Sequence, residues 1–242
     1  MLIGKLILFD ELDSTNKYIK QHLDVLDSGT IVIAKNQTNG YGRKGRFWFN
    51  DKDNSLTFSL LVKQDLRNDL GLITQLTAVS VLKALEQHNI SASIKWPNDI
   101  LINNKKVCGI LVENIISNNS ISVIIGIGIN INNQEFDKSI IDKATSLYIE
   151  TKQKYDVLNI QNILLEKLEY YYNQYLNNDT EFLEISRSKS CLIGKEIYLE
   201  NQHETVLVKG IDHLGRLVVE INGLEKVYSG SEVSLSNNYR SI

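Results

Sequence analysis

The sequence predicts an α+β fold, in which a mixed β-sheet is flanked by helices and is followed by a small C-terminal β-barrel. Short apolar segments rich in β-branched residues recur through residues 1–130, as expected for strands. Residues 70–87 and 160–176 instead carry apolar side chains at the 3–4 spacing of a helix face. From Ile193 onward, short alternating segments separated by polar or Gly-containing turns are typical of a small barrel. We therefore predict a larger domain over residues 1–187 and a small domain over residues 188–242.

Local signals place the elements in order. Asp13-Ser14-Thr15-Asn16 offers side-chain oxygens that can cap a short helix, and Asn103-Asn104 is typical of a hairpin turn. Strands of the larger domain are predicted at Ile3–Phe9, Thr30–Lys35, Ser55–Val62, Ser93–Trp96, Ile100–Ile102, Lys106–Asn114 and Ser120–Ile125, with long helices at Leu70–Gln87 and Ile160–Leu176. Strands of the small domain are predicted at Glu196–Glu200, Thr205–Ile211, Leu217–Ile221, Lys226–Ser229 and Glu232–Leu235.

Composition argues against several functional classes. A net charge of -3 is unlike a protein that coats nucleic acid, since phosphate neutralisation supplies most of that affinity. Two cysteines are too few for a disulfide framework, and four scattered histidines indicate neither a zinc site nor a Ser-His-Asp triad. No apolar run is long enough to span a bilayer, and the N-terminal segment is too soon acidic for a signal peptide. We therefore expect a cytoplasmic protein that does not bind membranes.

The segment from Gln37 to Phe49 carries the clearest chemical signal. It places three glycines among the cations Arg43, Lys44 and Arg46 and ends in an aromatic run that contains Trp48. Glycine lets the backbone approach a ligand closely, and the cations attract negative charge. We call this segment the glycine-basic loop. It indicates an anion site, and a solvated basic turn is the alternative.

A second group of motifs follows the glycine-basic loop. Lys95-Trp96-Pro97-Asn98-Asp99 holds charged and amide side chains at a bend that proline restricts, although an ordinary turn has the same pattern. Lys106 lies on a predicted strand near Gly109, where a solvated lysine is the common alternative. Gly126-Ile127-Gly128-Ile129-Asn130 is a weak nucleotide signal, because no third glycine and no helix follow at once. Together these groups suit a reaction in which the protein positions two anions and attacks neither.

At these residues the sequence is similar to the biotin protein ligases. The match comprises Asp13-Ser14-Thr15-Asn16, Gln37 with the glycine-basic loop, Lys95-Trp96-Pro97-Asn98-Asp99, Lys106 with Gly109-Ile110-Leu111-Val112-Glu113, and Gly126-Ile127-Gly128-Ile129-Asn130. It covers most of residues 1 to 135, whereas the barrel matches weakly. The resemblance implies a class II synthetase-like catalytic domain, an SH3-like barrel, and a two-step reaction. Biotin and ATP give biotinyl-5'-AMP, and a lysine of a biotin carboxyl carrier domain then takes the biotinyl group.

The resemblance also implies roles for individual residues. Catalysis is assigned to Arg43, Lys106 and Arg46. Biotin binding is assigned to Ser14, Thr15, Asn16, Gln37, Gly40, Gly42, Arg43, Lys106 and Gly109. ATP binding is assigned to Arg43, Arg46, Trp48, Lys95, Asn98, Asp99 and Asn130, with Trp48 stacking on adenine. Mg²⁺ is expected with ATP, held mainly by the phosphates, and its protein ligands stay unassigned.

Three positions depart from the pattern of the family. Tyr41 occupies a position at which many relatives have arginine, and Cys108 precedes Gly109 where glycine or alanine is common. Ser236 follows the Ser-Glu-Val-Ser-Leu segment, which in relatives is often followed by arginine. The last departure bears on any C-terminal contact to ATP, for which Arg240 is a candidate. The early start of the Asp13-Ser14-Thr15-Asn16 motif indicates an enzyme-only form without an N-terminal DNA-binding domain, and the resemblance allows a homodimer.

Three other functions compete with biotin ligation. A lipoate or octanoate ligase shares the fold and the acyl-to-lysine chemistry. A non-catalytic biotin-sensing module would not need the intact set of Arg43, Arg46 and Lys106. A DNA-binding regulator is disfavoured by the acidic charge balance and by the missing N-terminal domain.

Overall fold

The computed structural model describes residues 2–63, 70–117, 120–233 and 235–241. Within these residues the larger domain contains a seven-stranded sheet in the order β1-β2-β3-β7-β6-β5-β4, in which only β1 and β2 are paired parallel. The strands are β1 Leu6–Leu12, β2 Ile31–Gln37, β3 Ser55–Lys63, β4 Ser93–Lys95, β5 Asp99–Ile102, β6 Lys105–Ser117 and β7 Ser120–Asn130. The predicted mixed sheet is confirmed.

The two faces of the sheet follow from the alternation of side chains along its strands. The helices are α1 Thr15–Gln21, α2 Leu70–Glu86, α3 Leu147–Thr151, α4 Val157–Leu176 and α5 Glu181–Ser188. Phe58, Leu60 and Ile125 belong to the main core with α2 and α4. Val32 and Leu61 point to the opposite face and pack against Ile19 of α1. Helices therefore cover both faces, as the fold class predicts.

The small domain is a five-stranded antiparallel sheet in the described part of the chain, in the order β11-β10-β9-β8-β12. Its strands are β8 Lys195–Leu199, β9 Glu204–Ile211, β10 Leu217–Ile221, β11 Leu224–Tyr228 and β12 Leu235–Ser241. It is tied to the larger domain where the buried indole nitrogen Nε1 of Trp96 donates to the carbonyl of Gly215, at 2.9 Å. A Cβ on Gly71 would lie 2.5 Å from the carbonyl oxygen of Leu214, so α2 approaches this domain closely. These contacts place the small domain against the bend at residues 96–98.

Several predicted boundaries are wrong. β1 lies three residues later than predicted, because it pairs with β2 from Leu6 opposite Ile31 to Leu12 opposite Gln37. As an edge strand, it can carry the charged residues 10 and 11 without burying them. Residues 126–130 continue β7, and the predicted last strand at 232–235 begins only at Leu235, after a turn at residues 229–232.

Other predictions agree with the structure or stay open. Asn103 and Asn104 form the predicted hairpin turn, with φ of 49° and 65°. The short helices α3 and α5 have no counterpart in the predictions. The domain boundary at 187/188 falls at the end of α5 and remains a prediction. Of the described residues, no helix has the length and hydropathy needed to cross a membrane.

Candidate active site

A cleft opens on the α1 face of the large sheet, where the side chains of three neighbouring strands change from large to small. Leu61 on β3 and its partner Ile124 on β7 are large and pack against α1. On β3 the residues two and four positions before Leu61 point to this same face, as do the residues two and four positions after Ile124 on β7, and all four are small. They are Ser59 and Thr57 on β3, paired with Gly126 and Gly128 on β7, with Gly109 of β6 opposite Gly128. The cleft above them encloses about 1020 Å³, including space open to solvent.

Most residues predicted for the site line this cleft. They are Ser14, Thr15, Asn16, Gln37, Gly42, Arg43, Arg46, Trp48, Lys95, Asn98, Asp99, Lys106 and Gly109. Gly40 and Asn130 are not among the lining residues. Asn130 is buried at the end of β7, where its Nδ2 donates to the carbonyl of Thr145 at 3.0 Å. Because this side chain holds the chain before α3, its position gives no support to the predicted contact with ATP.

One end of the cleft is polar and uncharged. The backbone nitrogen and Oγ1 of Thr15 both donate to Oε1 of Gln37, at 2.8 and 3.1 Å. Ser59 Oγ lies 2.6 Å from Thr15 Oγ1 and within hydrogen-bond distance of Asn16 Oδ1, so its single hydroxyl proton is shared between these two acceptors. Ser14 caps α1 by accepting a hydrogen bond from the backbone nitrogen of Lys17. Residues 14–16 are at most 4% exposed, so this end presents a fixed array of donors and acceptors.

The glycine-basic loop forms a tight turn beside this polar end. The backbone nitrogen of Gly42 donates to the carbonyl of Arg46 at 2.8 Å, and Gly45 has a φ of 70°. Nη1 of Arg43 donates to Oδ1 of Asn98 at 3.1 Å, and Nη2 donates to the carbonyls of Gly230 and Val233 in the small domain. Burial lowers the pKa of the Arg43 guanidinium, while nearby Asp99 opposes that shift. The loop therefore carries a partly desolvated cation to the edge of the cleft.

The other end of the cleft is cationic. Lys106 Nζ lies 2.7 Å from Oδ1 of Asp99. Lys95 is only 8% exposed, and burial lowers the pKa of its ammonium while Asp99 raises it. Asp99 thus lies within the field of Lys106, Lys95 and Arg43, and these cations outnumber it. An anionic ligand would be attracted to this end of the cleft.

Trp48 lies between the two ends. A Cβ on Gly128 would be 2.4 Å from its Cε2, and a Cβ on Gly109 would be 2.9 Å from its Cζ3. The indole therefore rests directly on backbone that only glycine leaves uncovered. Lys106 Nζ is 5.3 Å from the ring centroid. Gly128 makes room for this ring and Gly126 makes room for the side chain of Asn16, which explains both glycines of residues 126–130 without a nucleotide. The adenine-stacking role of Trp48 remains a prediction.

Comparison with known proteins identifies the family. The Biotin/lipoate A/B protein ligase family matches residues 8–130. The chain belongs to this family. Its resemblance to the biotin protein ligases is confirmed by the relatives below, and the family domain coincides with the part of the chain that forms the cleft.

The relatives of this ligase-family chain include enzymes and solved structures. It is 36% identical over 234 residues to the "Bifunctional ligase/repressor BirA" of Bacillus subtilis, covering 93% of this chain and 72% of that protein. It is 28% identical to the "Biotin--[acetyl-CoA-carboxylase] ligase" of Mycobacterium tuberculosis, covering 85% of this chain and 78% of that one. The biotin protein ligase of Aquifex aeolicus in complex with biotin and ATP superposes with a TM-score of 0.87, at 31% identity over 97% of this chain and 99% of that chain.

The residues at or beside the site of this ligase-family member that were not predicted include Tyr41, Ser59 and Glu113. Glu113 accepts hydrogen bonds from Asn16 Nδ2 at 2.8 Å and from the Tyr41 hydroxyl at 3.1 Å. Alternation along β6 puts Glu113 on the same face as Gly109, and this signal could have identified it from the sequence. No comparable signal marks Ser59, whose importance depends on its register opposite Gly126.

Proposed function

We propose that this protein is an ATP-dependent, AMP-forming biotin protein ligase. In the first step, the carboxylate of biotin attacks the α-phosphorus of ATP, the bond to the β-phosphate oxygen breaks, and pyrophosphate leaves. In the second step, the neutral amine of a lysine attacks the acyl carbonyl of biotinyl-5'-AMP. An amide bond forms, AMP leaves, and the amine loses a proton. The acceptor lysine belongs to a biotin carboxyl carrier domain.

The arrangement of the cleft carries this proposal. Biotin has an uncharged cyclic urea at one end, a carboxylate at the other, and an apolar chain between them. The cleft has the same order: the array around Thr15 and Gln37, the indole of Trp48, and the cations Lys106 and Arg43. A buried polar array is costly to leave unpaired, so it favours a ligand that offers both donors and acceptors.

Catalysis here would consist of positioning and charge stabilisation. Two anions must meet in the first step, and Lys106, Arg43 and Arg46 would offset their repulsion. Asn98 already holds Arg43, and Asp99 already holds Lys106, so both cations are oriented before a ligand arrives. Lys95 would add charge toward the nucleotide.

Mg²⁺ would arrive with ATP. The described residues contain no group of three or more His, Cys, Asp or Glu side chains that could hold a metal ion. Mg²⁺ is usually held by substrate phosphates and water with few protein ligands, which fits such a site. The ion would therefore be part of the nucleotide substrate.

A lipoate or octanoate ligase is the closest alternative, since the family name includes lipoate. Lipoate carries an apolar dithiolane ring where biotin carries a urea. The groups around Thr15 and Gln37 are bonded to one another, but such a ring would leave their remaining donor and acceptor positions unpaired, at a cost of about 1–3 kcal/mol for each buried group left so. The structure therefore favours biotin.

The decisive experiment offers the protein biotin or lipoate with MgATP and a carboxyl carrier domain. We expect a mass increase on one carrier lysine with biotin alone. Biotin-dependent exchange of pyrophosphate into ATP separates an enzyme from a biotin-sensing module, which would bind biotin without exchange. Labelling with lipoate and not biotin would overturn the proposal.

A further inference from the structure

Glu113 lies just outside the cleft and joins three elements that build its polar end. Its Oε2 accepts hydrogen bonds from Asn16 Nδ2 and from the Tyr41 hydroxyl. Its Oε1 accepts from Lys20 Nζ at 2.7 Å. Asn16 and Lys20 belong to α1, Tyr41 lies in the glycine-basic loop, and Glu113 itself is on β6. Asn16 and Tyr41 line the cleft, whereas Glu113 does not.

All three partners of Glu113 are donors. A carboxylate accepts on both oxygens and donates on neither, so it satisfies the three at once. It also fixes the amide of Asn16: because Nδ2 faces Glu113, Oδ1 faces Ser59. Gly126 leaves the space for this arrangement, since a Cβ there would lie 2.3 Å from Asn16 Oδ1. The orientation of Asn16 thus depends on an acceptor at position 113.

Lys20 offsets the negative charge of the half-buried Glu113 carboxylate. Lys20 Nζ lies 2.7 Å from Glu113 and 5.5 Å from the centroid of the Tyr41 ring. Burial alone would lower the pKa of Lys20, but hydrogen bonds with Glu113 and Tyr41 outweigh it and raise the pKa. The ammonium is therefore a permanent donor, and one arm of Glu113 must accept from it.

We propose that Glu113 is a positioning residue for the first substrate, because it fixes Asn16 and Tyr41 around the polar end of the cleft. The proposal rests on the proposed function, in which that end holds the urea of biotin. Glu113 acts through its neighbours and touches neither the reacting carboxylate nor the nucleotide. Its removal should therefore weaken biotin binding and leave the rate at saturating biotin unchanged.

Glu113→Gln tests the need for two accepting arms. A glutamine must turn its NH₂ group either toward the ammonium of Lys20 or toward Asn16 and Tyr41, and each choice sets donor against donor. We expect the Kd and KM for biotin to rise about tenfold, the effect of one lost hydrogen bond. The kcat and the KM for ATP should stay within twofold of the wild-type values, taken as about the error of such assays.

Lys20→Met provides the matched test. With Lys20 gone, the glutamine of E113Q can turn its NH₂ group to the vacated side and accept from Asn16 and Tyr41 with its oxygen. The K20M/E113Q double variant should therefore bind biotin better than E113Q alone, recovering most of the tenfold loss. A structural role for Glu113 predicts additive losses instead. Lys17→Met is the control. Lys17 is on the same helix as Lys20, and its removal breaks only an exposed ion pair with Asp13, which precedes the helix, so this variant should bind biotin as the wild type does.

Calorimetric biotin titrations and steady-state assays on the full chain decide the matter. Recovery in the double variant, with wild-type kcat throughout, supports the proposal. Equal biotin affinity in wild type and E113Q overturns it, as does an additive loss in the double variant. Tyr41→Phe removes one donor to Glu113, and if E113Q does not fold, an unchanged biotin KM in Y41F overturns the proposal. A wild-type protein that binds no biotin overturns the proposed function and this proposal with it.

Discussion

Gly128→Ala should close part of the cleft by moving Trp48. The added Cβ would lie 2.4 Å from Cε2 and 2.5 Å from Nε1 of the indole, and an ordinary contact begins at 3.4 Å. Gly128 belongs to a strand paired on both sides, with Thr57 on β3 and Gly109 on β6. The backbone is therefore held, and the ring must retreat.

The ring must move away from the sheet, toward the cleft that it lines. Trp48 is half-buried, and the sheet residues Gly128 and Gly109 lie against one side of the ring, so the ring cannot move toward them. A shift of about 1 Å at a binding surface costs up to about 100-fold, and overpacking costs about 1–3 kcal/mol. We expect G128A to bind biotin about 10- to 100-fold more weakly. The melting temperature should change little, since the strained side chain has solvent beside it.

Titration calorimetry with biotin and thermal unfolding of the same samples test this prediction. Gly210→Ala is the matched control, because a Cβ there would meet nothing within 4 Å. G210A should bind biotin as wild type. Biotin affinity in G128A within twofold of wild type, with an unchanged melting temperature, would show that Trp48 does not lie on this strand beside the biotin site.

Four other predictions concern separate parts of the molecule. Lys106→Ala should slow biotin-dependent pyrophosphate release by about 10²–10³-fold while biotin binding persists, and an unchanged rate would remove Lys106 from the chemistry. Arg43→Gly should weaken the hold on the adenylate by about 1.5–3 kcal/mol, so that biotin appears on lysines of bystander proteins, as mass spectrometry would detect. Ile116→Lys, at a 68% exposed position on β6, should weaken carrier docking or self-association, and sedimentation and transfer assays that both match wild type would contradict this. Burial alone would raise the pKa of Asp212, but hydrogen bonds from Arg216 and from two backbone nitrogens lower it overall. This carboxylate therefore stabilises the fold above its unfolded pKa and loses that effect as the pH falls, so Asp212→Asn should cost about 1 kcal/mol at pH 7 and progressively less below about pH 4 in urea unfolding.

Local patterns in the sequence predicted the sheet, the long helices and most residues of the cleft. The hydrophobic pattern of an element can be recognised from its own few residues, without knowing which distant residues it packs against. This applies to the strands at 31–37 and 55–63 and to the helix at 70–86. Asn103-Asn104 specifies its turn by backbone preference alone. The residues of the glycine-basic loop and the 95–99 bend were found because rare residue types gather there.

Pairing over long sequence distances decided what the sequence could not predict. The start of β1 depends on its register with β2, and the last strand depends on β8. Glu113 and Tyr41 are 72 residues apart, and Arg43 reaches Gly230 across 187 residues. Alternation along β6 can place Glu113 on the face of the cleft, but no sequence pattern identifies which distant residues Glu113 and Arg43 contact.

The two ends of the cleft are stabilised in different ways, and this difference bears on how the reaction proceeds. The polar end is held by buried side chains bonded to one another, so it is formed before a ligand arrives. At the cationic end, Lys106 and Arg43 are bonded to Asp99 and to backbone carbonyls, which a phosphate can replace as acceptors. In the proposed function, biotin would therefore bind a finished surface, whereas the nucleotide would exchange partners with the cations. Substitutions at the polar end should consequently change the KM for biotin, and substitutions at the cationic end should change kcat.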